Sequence, residues 1–362
     1  MKVAIVYDRV NKIGGAERVL ESLSELFKKP TLFTSIYNKK NTPWAKKFDV
    51  RTSYLQNIPL LNMRHEFIPY LMPFAFESFN FSGFDLVISV TSESAKGVIV
   101  PPGVPHVCIC LTPTRYLWSG YKQYFKNPLL SFFAYPLIWY LKKWDLSAST
   151  RPDMFVAISA TVKSRIKKYY KRDSVVIYPP ADRLFGKKIK ASQLIETKKY
   201  FLVVSRLVDY KKIDLAVKAC TKLKLRLIVV GEGNDYEKLA AIAGDNIEFR
   251  GKVTDEELLY YYKNCRALLF PGEEDFGITM VEVQLAGKPV IAYKAGGAVE
   301  IVQEGVTGVF FNKQTVASLS QVLINFKDSR YNGNDCRKNG RRFSEKKFKT
   351  AFMTLLKKNK FI

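Results

Sequence analysis

Val3 to Tyr7 is an unbroken apolar run, short enough for a strand and with no polar face. Gly14 and Gly15 follow. Val19, Leu20, Leu23 and Leu26 then recur at the spacing of one helix face within 16–27. Strand, glycine turn and helix form the opening unit of a Rossmann-like domain. Further extended runs fall at 31–36, 85–90, 106–111 and 154–158, with helical patterns between them. The pattern restarts with a strand over 200–204, a helix over 214–222 and a strand over 225–230 that runs into Gly231-Glu232-Gly233. Three more strands are expected at 246–250, 267–270 and 289–293. Strands that alternate with helices in this way predict parallel sheets covered on both faces, an α/β fold.

Tyr178-Pro179-Pro180 stops any helix and stiffens the chain between the two patterns. We therefore expect a first domain over 1–182 and a second over 183–340, the latter beginning with a polar, Lys-rich stretch at 186–199. The terminal segment, 341–362, holds an amphipathic helix near 343–356 placed to cross back onto the first domain. The length of 362 residues suits two domains, and 47% hydrophobic residues suit a globular chain. Five cysteines, an odd number without a Cys-x-x-Cys pair, read as reduced thiols. With His65 and His106 as the only histidines, a structural zinc site is not expected. No apolar stretch reaches a spanning length, and the N-terminus reads as a first strand, so the expectation is a cytoplasmic protein.

The chemistry concentrates in Pro271-Gly272-Glu273-Glu274-Asp275-Phe276-Gly277-Ile278-Thr279-Met280-Val281-Glu282, between a strand ending at Phe270 and a helix over 279–286. Glu274 falls in a loop at the carboxyl end of a strand, where open α/β sheets bind ligands, and Glu282 one turn into the next helix. Carboxylates accept from paired sugar hydroxyls, and free N–H groups of a first helical turn favour phosphate. Read blandly, these acids would only offset a helix dipole. The stretch resembles the E-x7-E signature of the family 4 retaining glycosyltransferases, which have the GT-B fold of two Rossmann-like domains across a cleft. Val204-Ser205-Arg206-Leu207-Val208-Asp209-Tyr210-Lys211 resembles that family's "GRL…K" segment. The resemblance implies that Arg206 and Lys211 clasp a donor diphosphate, whose charge grows as it leaves. Gly231-Glu232-Gly233 is similar to the "GxG" that passes under the nucleotide, Gly251-Lys252-Val253 to the "GxV" that meets the base, and Gly296-Gly297 with Glu300 to a "GG…E" segment. The implied catalytic set is Glu274, Arg206 and Lys211. The implied donor contacts are Gly14, Gly15, Gly231, Val253, Phe276, Gly277, Ile278 and Glu282.

Gly14-Gly15-Ala16-Glu17 resembles the family's "GGAE" loop, and Tyr178-Pro179-Pro180-Ala181-Asp182 its "YPPxD" hinge. Cys108-Ile109-Cys110-Leu111-Thr112-Pro113-Thr114-Arg115-Tyr116-Leu117-Trp118 resembles the "YCHTPxRYxW" segment of an O-antigen mannosyltransferase-like branch, with Leu111 where His is usual. Leucine offers no hydrogen bond, which leaves open a different donor sugar, a contact shifted to Thr112 or Arg115, or low activity. His106 reads as structural.

The formal charge of +25 speaks about partners, not fold. The stretch 125–144 sets Trp, Tyr and aliphatic residues between Lys126 and Lys142-Lys143, with Pro128 and Pro136 expected to prevent one regular long helix. Six basic residues and no acid fall within 163–172. Both features suit the inner face of an anionic membrane, at about 1 kcal/mol per Lys or Arg. The reading is a retaining, metal-independent hexosyltransferase without a cofactor. It would move mannose from GDP-mannose, or glucose or N-acetylglucosamine from a UDP-sugar, to a glycan or lipid-linked acceptor in surface polysaccharide synthesis. A GT-B epimerase wants His in the site, and a phosphorylase a longer chain. Nucleic acid is not expected as a partner, since no RNA-binding signature accompanies the charge. A non-enzymatic nucleotide- or RNA-binding protein remains the contrasting reading.

Overall fold

The computed structural model describes residues 1–11, 14–58, 69–125, 127–186 and 199–362. His65, Lys126 and most of the Lys-rich 186–199 stretch lie outside the described residues. The chain divides into two compact units, Met1–Pro179 with Phe348–Ile362, and Pro180–Lys347.

The first unit is built on a parallel sheet of β1 (Val3–Tyr7), β2 (Thr31–Thr34), β3 (Asp49–Thr52), β4 (Leu86–Thr91), β5 (His106–Cys110), β6 (Met154–Ala157) and β7 (Val175–Val176), in the order β3-β2-β1-β4-β5-β6-β7. β1, β4 and β5 are buried along their whole length, which explains their apolar runs. The edge strands β3 and β7 are short, polar or half-exposed, so neither leaves a periodic apolar signal. Helix α1 (Gly15–Leu26) buries Val19, Leu20 and Leu23, the face its spacing requires. The described helices that follow include α2 (Met72–Glu77), α3 (Tyr121–Tyr124), α4 (Pro128–Ala148) and α5 (Ala160–Tyr170).

Helix α4 corrects one expectation: 128–148 is a single 21-residue helix with Pro136 inside it. Pro128 occupies the first position, where its missing N–H has no intrahelical partner to lose. Pro136 forfeits one backbone bond and still fits, because Ile138, Leu141, Asp145 and Ala148 anchor the opposite face in the protein.

The second unit repeats the plan with β8 (Phe201–Val204), β9 (Leu227–Val230), β10 (Ile247–Gly251), β11 (Leu268–Phe270), β12 (Val290–Tyr293) and β13 (Gly308–Phe311), ordered β10-β9-β8-β11-β12-β13. All described pairings in both sheets are parallel. Its helices include α6 (Ile213–Lys222), α7 (Tyr236–Ala240), α8 (Asp255–Asn264), α9 (Ile278–Leu285), α10 (Ala298–Ile301), α11 (Val316–Asn325) and α12 (Gly333–Gly340). The chain ends in α13 (Glu345–Lys358), whose residues from Phe348 onward belong to the first unit. There Lys349 pairs with Glu25 of α1, and Phe348, Phe352 and Leu356 are buried.

His106 shows how a buried titratable group is held. Its ring accepts or donates to the Ser89 hydroxyl at 2.8 Å, and its backbone N–H donates to Asp153 at 2.7 Å. Burial, reinforced by the Arg151 charge, pushes its pKa down to about 3. The unfolded chain, with an ordinary value near 6.5, therefore takes up the proton first. Its contribution is complete above about pH 6.5 and is lost as pH falls toward 3, by about 2 kcal/mol between pH 7.5 and pH 5. Urea unfolding at these two pH values should show a larger drop for the wild type than for His106→Leu; equal drops would remove His106 from the explanation.

Candidate functional site

Each sheet reverses its strand order between two neighbours, β1 and β4 in the first unit and β8 and β11 in the second. At such a point the two following loops leave in opposite directions and open a crevice at the carboxyl ends. In the second unit the loop after β8 carries Arg206 and Lys211, and the loop after β11 carries Glu274. Topology thus brings together residues more than sixty positions apart in the chain. Lys211 Nζ and Glu274 Oε1 form an ion pair, the lysine 11% and the glutamate 22% exposed. Arg206 is exposed beside them and donates to the Tyr210 hydroxyl at 2.7 Å, while Lys211 lies 5.1 Å from the centre of the Tyr210 ring.

Glycine at fixed positions makes this assembly possible. Gly231 has φ +130, and a Cβ there would lie 1.9 Å from the Ser205 carbonyl oxygen; at Gly233 it would lie 2.2 Å from that of Leu207. The loop after β9 therefore lies directly on the 205–207 segment, with the Leu207 N–H donating to the Glu232 carbonyl at 2.9 Å. The room left by Gly231 is filled by protein backbone. On the other side Gly297 donates its N–H to the Glu274 carbonyl at 2.8 Å, and side chains at Gly296 or Gly297 would strike the 274–276 backbone. The 296–297 main chain thus sets the Glu274 backbone, while the 231–233 loop sets the 205–207 segment that leads to Lys211.

Gly277 opens α9 with φ +97, a left-handed conformation that favours glycine. Phe276 is buried against Phe343, and Ile278 begins the helix with its first-turn N–H groups at the carboxyl edge of the sheet. Glu282 lies deeper on the same helix, 1% exposed, and its Oε2 accepts from the Tyr262 hydroxyl at 2.9 Å. Val253 is half-buried in the loop after β10, following Gly251, whose carbonyl accepts from the Gly231 N–H. Arg206, Lys211 and Glu274 form one cluster, while Glu282 and Val253 occupy neighbouring elements of the same unit.

In the first unit Gly14 and Gly15 are exposed at the start of α1. Glu17 turns inward, 2% exposed, and accepts from the Tyr7 hydroxyl at 2.8 Å, which ties α1 to the end of β1. Leu111 is half-buried after β5 and donates its N–H to the Thr91 carbonyl. Thr112 is buried, its hydroxyl without a hydrogen-bond partner among the described residues, and Arg115 is half-exposed.

A second polar assembly escaped the sequence reading. Asp8, just past β1, accepts from the Thr91 hydroxyl and from the backbone N–H groups of Ser92, Glu93, Ser94 and Ala95. Arg9 pairs with Glu93 at 2.6 Å. Lys96, 1% exposed, pairs with Asp145 of α4, which also accepts from Thr114 Oγ1 at 2.9 Å and Trp118 Nε1 at 2.7 Å. Burial opposes the Lys96 charge, yet the adjacent carboxylate raises its pKa above the ordinary value. A lysine inside an otherwise apolar 95–98 run was the one available signal.

Residues 185–343 match the family model of glycosyl transferases group 1, so the match covers most of the second unit. Over 204 residues the chain is 26% identical to an uncharacterized glycosyltransferase of Methanocaldococcus jannaschii, covering 55% of this chain and 56% of the relative. Over 139 residues it is 30% identical to a GDP-mannose-dependent alpha-mannosyltransferase of Corynebacterium glutamicum, covering 37% of this chain and 33% of that protein. The chain therefore spans about half or less of the curated relatives it matches. Similarity of fold extends further. The Anabaena protein HepE, solved with UDP and glucose, aligns with a TM-score of 0.70 at 18% identity over 99% of both chains. A lipopolysaccharide outer core galactosyltransferase aligns with a TM-score of 0.68 at 18% identity, over 99% of this chain and all of its own. The fold is GT-B, with two Rossmann-like domains.

Proposed function

We propose that this chain is a retaining glycosyltransferase that moves a hexose from a nucleotide-sugar donor bound to the second unit, mannose from GDP-mannose being the first choice. The carrying observation is the Lys211–Glu274 pair at the strand-order reversal, with Arg206 beside it. Without donor, the lysine and the glutamate satisfy one another. A diphosphate competes for Lys211 and Arg206, and this frees the Glu274 carboxylate to accept sugar hydroxyls. As the bond from the anomeric carbon to the diphosphate oxygen breaks, negative charge grows on that phosphate, and the two cations stabilise it without needing a metal. The acceptor hydroxyl oxygen bonds to the anomeric carbon on the face the diphosphate leaves, and its proton passes to the departing phosphate oxygen. Configuration is retained. The acceptor class we infer is a growing glycan or lipid-linked sugar, for which the first unit's Leu111, Thr112 and Arg115 are the candidate contacts.

The GDP-mannose choice rests on the 108–118 segment and is supported by the similarity to the Corynebacterium mannosyltransferase. A UDP-sugar is the alternative, favoured by the fold likeness to HepE, which was solved with UDP and glucose. Thermal unfolding with GDP-mannose, UDP-glucose and UDP-N-acetylglucosamine separates the two, because a ligand at 100 times its Kd stabilises by about 2.7 kcal/mol. GDP-mannose should raise the melting temperature most and release free mannose slowly. Arg206→Ala, an exposed change, should reduce the shift. A shift with UDP-sugars alone reassigns the donor, and no shift with any of them sinks the reading.

A further inference from the structure

The outward face of α4 is unusual for a water-facing helix. Leu129, Phe132, Phe133, Tyr135 and Trp139 are each more than half exposed, Phe132 at 74% and Phe133 at 72%. Solvated helices present polar side chains there. No Asp or Glu falls within 125–144, and the acid that follows, Asp145, is turned inward and buried. The basic helix α5 follows α4 after one strand, and side-chain contacts join the two. Lys142 sits 4.9 Å from the Tyr121 ring centre and 5.7 Å from that of Trp118. Trp118 stacks on Tyr169 at 5.2 Å, and Lys168 lies 5.4 Å from the Tyr169 ring. Lys143 lies 5.7 Å from the ring of Trp139. One series of ring and ammonium contacts, from Lys142 through Trp118 and Tyr169 to Lys168, thus joins α4 to α5, and a separate pair, Trp139 and Lys143, lies on α4 itself.

We propose that this surface docks the protein on the headgroup region of an anionic lipid bilayer, with the α4 aromatics inserted and Lys142, Lys143 and Lys168 at the phosphates. The arrangement matches what an interface rewards: bulky apolar groups that can reach below the headgroups, Trp and Tyr that can sit at their level, and lysine ammonium groups held over those rings beside the apolar face. The charge decides between occupants. A second copy of a +25 chain would bring lysines against lysines at this face, whereas anionic lipid neutralises them. The inference concerns the first unit alone and stands apart from the donor site.

The test is flotation of the full chain with vesicles of phosphatidylcholine alone and with added phosphatidylglycerol. Binding should need the anionic lipid. Each of Lys142→Gln, Lys143→Gln and Lys168→Gln should weaken it about fivefold. Phe132→Ser with Phe133→Ser should weaken it at least about tenfold while leaving the melting temperature unchanged, since both rings are exposed. Equal binding to neutral vesicles, wild-type binding by the Phe132/Phe133 variant, or lipid-free dimerisation abolished by that variant without any vesicle binding would overturn the proposal.

Discussion

Under the transfer we propose, Lys211→Ala should lower kcat by about 10²- to 10³-fold, the range found when one preorganised group facing developing charge is removed. The reason lies in where the charge is largest. In the ground state the donor diphosphate shares its charge among several oxygens and water. As the glycosyl bond opens, charge gathers at the bridging oxygen, and a fixed ammonium is worth more there than before. Because Lys211 also meets the diphosphate before the bond breaks, its loss lowers kcat and also raises KM for the donor, so kcat/KM falls further than kcat. Glu274→Gln provides the contrast, because it removes the competing carboxylate from Lys211 but keeps a polar group for sugar hydroxyls. It should impair turnover while leaving UDP or GDP binding intact or tighter. Steady-state kinetics with nucleotide titration read both. A Lys211→Ala enzyme within a few-fold of wild-type kcat would remove this lysine from the chemistry.

This pair also marks how far the residues alone lead. Each half of it stands beside a buried strand with a clear apolar run, so β8 and β11 are legible and the loops after them can be placed. Their adjacency is not local information, since it depends on β11 crossing to the far side of β8 in the sheet order. β13 is missed for a related reason: Gly308-Val309-Phe310-Phe311 follows a turn so closely that the turn dominates the pattern. Gly231 illustrates a different limit. The strand–Gly–x–Gly pattern reads only as a likeness to a turn passing under a nucleotide; that the Ser205 carbonyl occupies the space at Gly231 is something no spacing in the chain reveals. Pro136 shows the reverse error, in which a strong local rule yields to tertiary packing. The cost of about 3 kcal/mol for an interior proline is offset by the anchored face of Ile138, Leu141 and Asp145. Lys96 and Asp145, separated by 49 positions, leave almost no trace until the fold joins them.

That last pair carries the largest stability effect we expect. Asp145→Ala should cost about 3–5 kcal/mol, because it strands a buried ammonium and takes the acceptor from Thr114 and Trp118 at once. In a unit of this size the loss lowers the melting temperature by roughly 10 °C. Lys96→Met with Asp145→Leu should cost much less than the sum of the single changes, since a buried pair replaced by apolar groups of similar volume leaves no uncompensated charge. The remaining cost of the double variant then measures the two neutral donors. The consequence reaches beyond stability, because Asp145 fixes α4 to the 112–118 segment, the candidate acceptor contacts and the outward aromatic face together. Differential scanning calorimetry of the two singles and the double gives the coupling directly. Asp145→Ala unfolding within about 1 kcal/mol of wild type would mean that Lys96 finds water or the Glu93 carbonyl sufficient, and that α4 is held by its apolar face alone.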